Sequence, residues 1–133
     1  MTTNYYDTFI SVAEDCPVAE SEIPVAKNNK PTVASMQYEA ISAKPYEYTS
    51  DDVIFDIYSD RNGVENNLVE REKYFSKGQP CFRSSPLGKR YGWGVHSNSE
   101  GKIAIYPIES AEYEKLSKDP DVKQLKAMRS KRA

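Results

Sequence analysis

Three features of this sequence predict an α+β fold, an antiparallel β-sheet covered by four or five helices. Residues 5–13, 89–96 and 102–108 are rich in aromatic and β-branched side chains and read as strands, the last two as a hairpin. Residues 32–43, 51–61 and 65–76 instead carry apolar groups at helical spacing between capping residues. A chain of 133 residues makes one domain and buries roughly two-thirds of its surface without staples. The expectation is therefore a single domain over 1–133, with a long extended loop at 14–31 and a basic C-terminal helix or tail at 121–133.

Residues 5–13 (YYDTFISVA) put Tyr5, Asp7, Phe9 and Ser11 on one side and Tyr6, Thr8, Ile10 and Val12 on the other. Both sides are apolar, as in a covered strand. Three prolines (Pro17, Pro24, Pro31) and Asn28-Asn29 make 14–31 a surface connection. Thr32 is placed to cap a first helix bearing Val33, Met36 and Ala40, which Pro45 ends near Ala43. Thr49 or Ser50 caps a second, where Asp51 and Asp52 complement the helix dipole and Val53, Ile54, Ile57 and Tyr58 form the stripe. Asn62-Gly63 closes it. A third helix, Val64 to Ser76, has Leu68, Val69, Glu72 and Phe75 as its expected inner stripe, and Gly78 ends it.

Past Pro80 the character changes. Cys81-Phe82-Arg83 reads as a short strand, Ser84 to Gly88 as a turn, and Lys89 to His96 as a strand returning through 102–108. Ser110 caps a helix with Ala111, Tyr113 and Leu116. A last helix over 121–130 would face Val122, Leu125 and Met128 inward and Lys123, Lys126, Arg129, Lys131 and Arg132 outward.

Composition narrows the function. No apolar run nears the ~20 residues of a membrane span, and MTTNYYDTF lacks signal-peptide character, so the expected location is cytoplasmic. Cys16 and Cys81 form no C-x-x-C or Cys/His cluster, which leaves no metal site, and no cofactor motif is present. Residues 1–76 carry 6 Lys/Arg against 14 Asp/Glu, a charge of −8; residues 77–133 carry 12 against 6, or +6. Either the halves attract each other within one fold, or they present surfaces for self-association or an external partner. A pI near 5.5 argues against a dedicated nucleic-acid binder, leaving at most weak phosphate contacts from KAMRSKRA.

The stretch KRYGWGVH supplies the candidate site. Alternation puts Tyr91, Trp93 and Val95 on one face and Arg90, Gly92, Gly94 and His96 on the other. Two successive positions without side chains mark close approach by a ligand, by the protein's own packing, or by a bulge. With Arg83, Lys89, Arg90 and His96 around Gly92 and Gly94, the first option is a shallow groove for a small anionic ligand, served by a non-enzymatic binding module. The alternative is a small enzyme using His96, the sole histidine, with Cys81 or Ser84.

These residues also carry a resemblance. The segments TFISVAEDCPV, YTSDDVIF, FSKGQPCFRSSPLGKRYGWGVH, EGKIAIYPIES and KAMRSKRA resemble a family of small microbial proteins known only as a domain of unknown function, over nearly the whole chain. That resemblance implies no activity, cofactor or catalytic residue. The hairpin followed by GKIAIYPIES-AEYEKL is similar, more loosely, to the YdhG-like α+β proteins, which bears on fold alone.

Overall fold

The computed structural model describes residues 1–130. Along the chain lie β1 (Thr8–Ser11), α1 (Val33–Ala43), α2 (Ser50–Asn62), α3 (Leu68–Phe75), a 3-10 turn (Phe82–Ser84), α4 (Pro86–Lys89), β2 (Trp93–Ser97), β3 (Ile103–Pro107), α5 (Ala111–Ser117) and β4 (Lys123–Lys126). The strands form one open sheet in the order β3-β2-β1-β4. The β2-β3 hairpin is antiparallel and β1 is antiparallel to β2, but β4 runs parallel to β1, so the sheet is mixed.

Register assigns the two faces. Phe9 opposes His96, which opposes Ala104; Ile10 opposes Val95, which opposes Ile105. Ile10, Val95 and Ile103 share one face, where they join Ile41 of α1, Val53 and Ile57 of α2, Phe82 and Leu87 in the main core. Phe9, Gly94, His96, Ala104 and Tyr106 share the other, on which α5 lies with Tyr113 edge-on to Phe9 at 5.1 Å.

The first two helices form where local chemistry asks for them. Thr32 and Thr49 each accept a hydrogen bond from the backbone N–H three residues on, and their own backbone N–H groups donate to the side chains of Ser35 and Asp52, which closes two capping boxes. Gly63 ends α2 in the left-handed conformation, at φ 62°.

Four expectations need correction. Phe82–Ser84 is a 3-10 turn rather than a strand. Residues 86–89 are helical, and the strand expected from Lys89 starts only at Trp93: Pro86 sits at the first helical position with Ser85 capping it, an arrangement that favours helix. The inner stripe of α3 is not inner, since Leu68 and Val69 are 76% and 62% exposed. The segment expected as a helix over 121–130 pairs as β4, with Leu125 and Ala127 turned to the core. Lys131 and Arg132 lie outside the described residues.

Ion pairs between the two halves are few among the described residues. Among the described residues Lys126–Glu14, at 3.2 Å, is the one ion pair between them. Burial supplies the cohesion instead: the main core mixes residues from both halves. No helix among the described residues is long and apolar enough to cross a membrane.

Candidate functional site

The bare glycine strip is filled by the protein itself. A Cβ on Gly94 would stand 2.5 Å from Phe9 and 2.7 Å from Tyr113, so α5 occupies that space. Gly92 has φ +80°, and a Cβ there would meet Ser21 Cα at 3.0 Å and Val18 at 3.1 Å. The long loop crosses at that point and is tied down: Glu22 N donates to Tyr91 O, Trp93 Nε1 donates to Glu22 O, and Ser21 N and Oγ donate to the Glu109 carboxylate. No ligand can lie on Gly92 or Gly94 without displacing these groups.

The flanking residues separate. Arg83 Nε donates to Lys126 O at 3.0 Å and Arg83 O accepts from Met128 N, which staples the turn to the end of β4. His96 stays on the α5 face, where its Nδ1 lies 2.7 Å from the Tyr46 hydroxyl, itself 2.7 Å from the Tyr106 hydroxyl. Tyr46 holds this place with a left-handed backbone, φ 60°. Burial pushes the Tyr46 hydroxyl well above the usual tyrosine range, with Tyr106 adding to it. Burial also lowers the His96 pKa, against the pull of the Asp7 and Asp119 carboxylates, so the imidazole is held neutral.

The catalytic pairing is not assembled. Cys81 Sγ lies 3.2 Å from the Tyr5 hydroxyl, and Ser84 Oγ donates to Cys81 O. Both belong to a cavity on the helical side of the sheet, which His96 does not line. Tyr5 is pushed up to about 12, chiefly by burial and then by Cys81, while the Arg83 guanidinium acts the other way. Among the described residues no three His, Cys, Asp or Glu groups cluster to hold a metal ion.

What the structure does bring together is Lys89 and Arg90 with residues far off in sequence. Ser85 Oγ accepts from Leu87 N and donates to the buried Gln37 Oε1 at 2.6 Å, which anchors α4 against α1. Lys89 and Arg90, at the end of that single turn, line a groove of about 380 Å³ with Lys27, Thr32, Val33, Ala34, Ser84, Pro86 and Tyr91. Lys27 is delivered by a tight turn: Lys27 and Lys30 exchange backbone hydrogen bonds at 2.9 Å around Asn28 and Asn29, with φ 52° and 62°. Sequence reasoning missed Lys27, although two asparagines between lysines are a hairpin-turn signal. None of Lys27, Lys89 and Arg90 has a carboxylate within 4.0 Å among the described residues. Arg90 also borders a second depression with Asp15, Pro17 and Ser130, in which Asp15 accepts from Ser130 N.

The cavity bearing Cys81 adjoins this groove. It measures about 260 Å³, and Val33, Ser84 and Pro86 line both spaces. Its other walls include Ile54, Ile57, Tyr58 and Tyr74, the two tyrosine rings lying 4.2 Å apart. Arg61 at its edge donates to Pro31 O at 3.1 Å.

No curated protein and no solved structure matches the chain. A family model does, over residues 1–133, and the protein accordingly belongs to DUF6157, a family of unknown function.

Proposed function

We propose that this protein is a non-enzymatic binding module for a small anionic ligand, held in the groove that Lys89 and Arg90 share with Lys27. One observation carries the reading: three cationic side chains border one concave space with no carboxylate of the described chain pairing any of them. Cations left unpaired beside a concavity suit a phosphate or carboxylate, and the Thr32 hydroxyl on its wall, whose oxygen accepts from Ser35 N, adds an O–H donor. Of the residues first considered, Lys89 and Arg90 remain in the site. Arg83, Gly92, Gly94 and His96 serve packing and internal hydrogen bonds instead. A cytoplasmic location fits a chain whose Cys16 and Cys81 are both free thiols.

The test is a thermal-shift titration with inorganic phosphate and sulfate. A ligand at ~100 times its Kd stabilises by about 2.7 kcal/mol, which reads as several degrees in Tm. We expect that shift in the wild type and its loss in the Lys89→Ala/Arg90→Ala double variant. An equal shift in both proteins would remove the groove from consideration.

A further inference from the structure

Two spaces, one bordered by three unpaired cations and one largely apolar with Arg61 at its edge held to Pro31 O, meet at a common wall, and their union suggests a more specific occupant. We infer that the groove and the adjoining cavity form one site for an amphipathic anion, a small molecule with an anionic head and an aromatic body. The inference rests on the anion-binding reading above and goes beyond it by naming the ligand class.

Continuity is the first argument. Val33, Ser84 and Pro86 line both spaces, so the two adjoin, and a molecule whose head lies by Lys89 and Arg90 would reach the cavity by laying its body across that wall. Chemistry is the second. The groove offers Lys27, Lys89 and Arg90, whereas the cavity beyond the wall offers Ile54, Ile57 and the paired rings of Tyr58 and Tyr74. An aromatic body against such rings gains edge or offset-stacked contacts that a bare inorganic anion lacks. Size is the third. At about 260 Å³ the cavity by itself falls short of the ~300–1,000 Å³ of small-molecule sites, whereas the groove at about 380 Å³ lies within it, so the cavity serves a ligand of that size only as an extension of the groove.

The cavity also contains its own reporter. Cys81 lines it and Cys16 does not. A body seated there covers the Cys81 thiol and leaves Cys16 as an internal control.

The experiment compares 1-naphthyl phosphate, inorganic phosphate and 1-naphthol by calorimetry, and by the rate at which iodoacetamide alkylates each cysteine. The expected result is that 1-naphthyl phosphate binds at least ten times more tightly than either fragment and slows alkylation of Cys81 alone. Lys89→Ala/Arg90→Ala should weaken both phosphate compounds tenfold or more. Tyr74→Ala should bring 1-naphthyl phosphate down to the affinity of phosphate. Because Tyr74 contacts Phe55 and its loss can disturb folding, Val33→Glu is the second variant. It sets a carboxylate on the shared wall from an exposed position, and should abolish 1-naphthyl phosphate binding in a protein that melts like the wild type. Equal affinity for phosphate and 1-naphthyl phosphate would overturn the joined site while leaving the anion groove standing. Binding of 1-naphthol as tight as that of 1-naphthyl phosphate would overturn the joined site, and no binding by any of the three would overturn both.

Discussion

The two faces of the sheet are built on different principles, although adjacent residues of the same strands supply them. Ile10 and Val95 point into a core of aliphatic and aromatic groups closed by α1, α2 and α4. Phe9 and His96, one position along, point to a face that α5 covers at one end, and there the packing is ring against ring: Phe9 on Tyr113, Tyr46 on His96. The helical face is secured by area removed from water, which tolerates variation in shape so long as volume is kept. The α5 face is secured by a few specific fits, a glycine that admits two rings and a hydroxyl chain that holds a neutral histidine. Wide burial yields robustness; a few exact fits yield a face that single substitutions can open.

The largest effects test whether the faces are separable. Phe9→Ala should cost about 3–5 kcal/mol and Ile10→Ala about 2–5 kcal/mol in chemical denaturation. In hydrogen exchange, Phe9→Ala should strip protection from α5 amides first and Ile10→Ala from α1 and α2. If each substitution loosens both faces alike, the comparison breaks.

A smaller effect sharpens it. Gly94→Ala adds one methyl group where 2.5 Å separates the new carbon from Phe9, and should cost about 1–3 kcal/mol by overpacking. Made in a Tyr113→Leu background, the same change should cost less, because the second ring in contact is gone. An unchanged denaturation midpoint in Gly94→Ala would show that α5 lies loosely on the sheet.

The smallest effect is one of pH. Burial lowers the His96 pKa in the folded chain, so below about pH 6.5 the unfolded chain binds a proton that the folded chain resists. The stability this gives is full above that value and declines as the pH falls through it. His96→Gln should flatten the stability profile of the wild type between about pH 7 and 5. Parallel profiles in the two proteins would show that the imidazole titrates as freely in the fold as in the unfolded chain.

The same division explains what could be read early. Thr32, Thr49 and Gly63 act through bonds that span three or four residues, and the helices they bound were legible at once. Ser85-Pro86 is a cap followed by a first-turn proline, a helix signal that the turn reading of Ser84 to Gly88 passes over because the glycine-aromatic run after it reads as strand. Leu68 and Val69 look like a helix stripe and stay exposed, since periodicity shows which residues share a face and says nothing of what covers that face. In the candidate site, Lys89 and Arg90 were visible as cations beside a turn. Lys27, Tyr58 and Tyr74 were not, because each joins the site from a separate element.

By itself the sequence determined the α+β class, the hairpin, the first two helices and their caps, and the presence of cations around residues 83–90. All of these follow from torsional preference and hydrogen bonds within a few residues of chain. Tertiary structure alone decided that residues 123–126 join β1 as a parallel strand, that Phe9, Tyr113 and the long loop take the room over the glycines, and that Lys27 meets Lys89 and Arg90. Each of those outcomes depends on which of several apolar surfaces pairs with which. That choice is made by burial between residues tens of positions apart, where local preference has no reach.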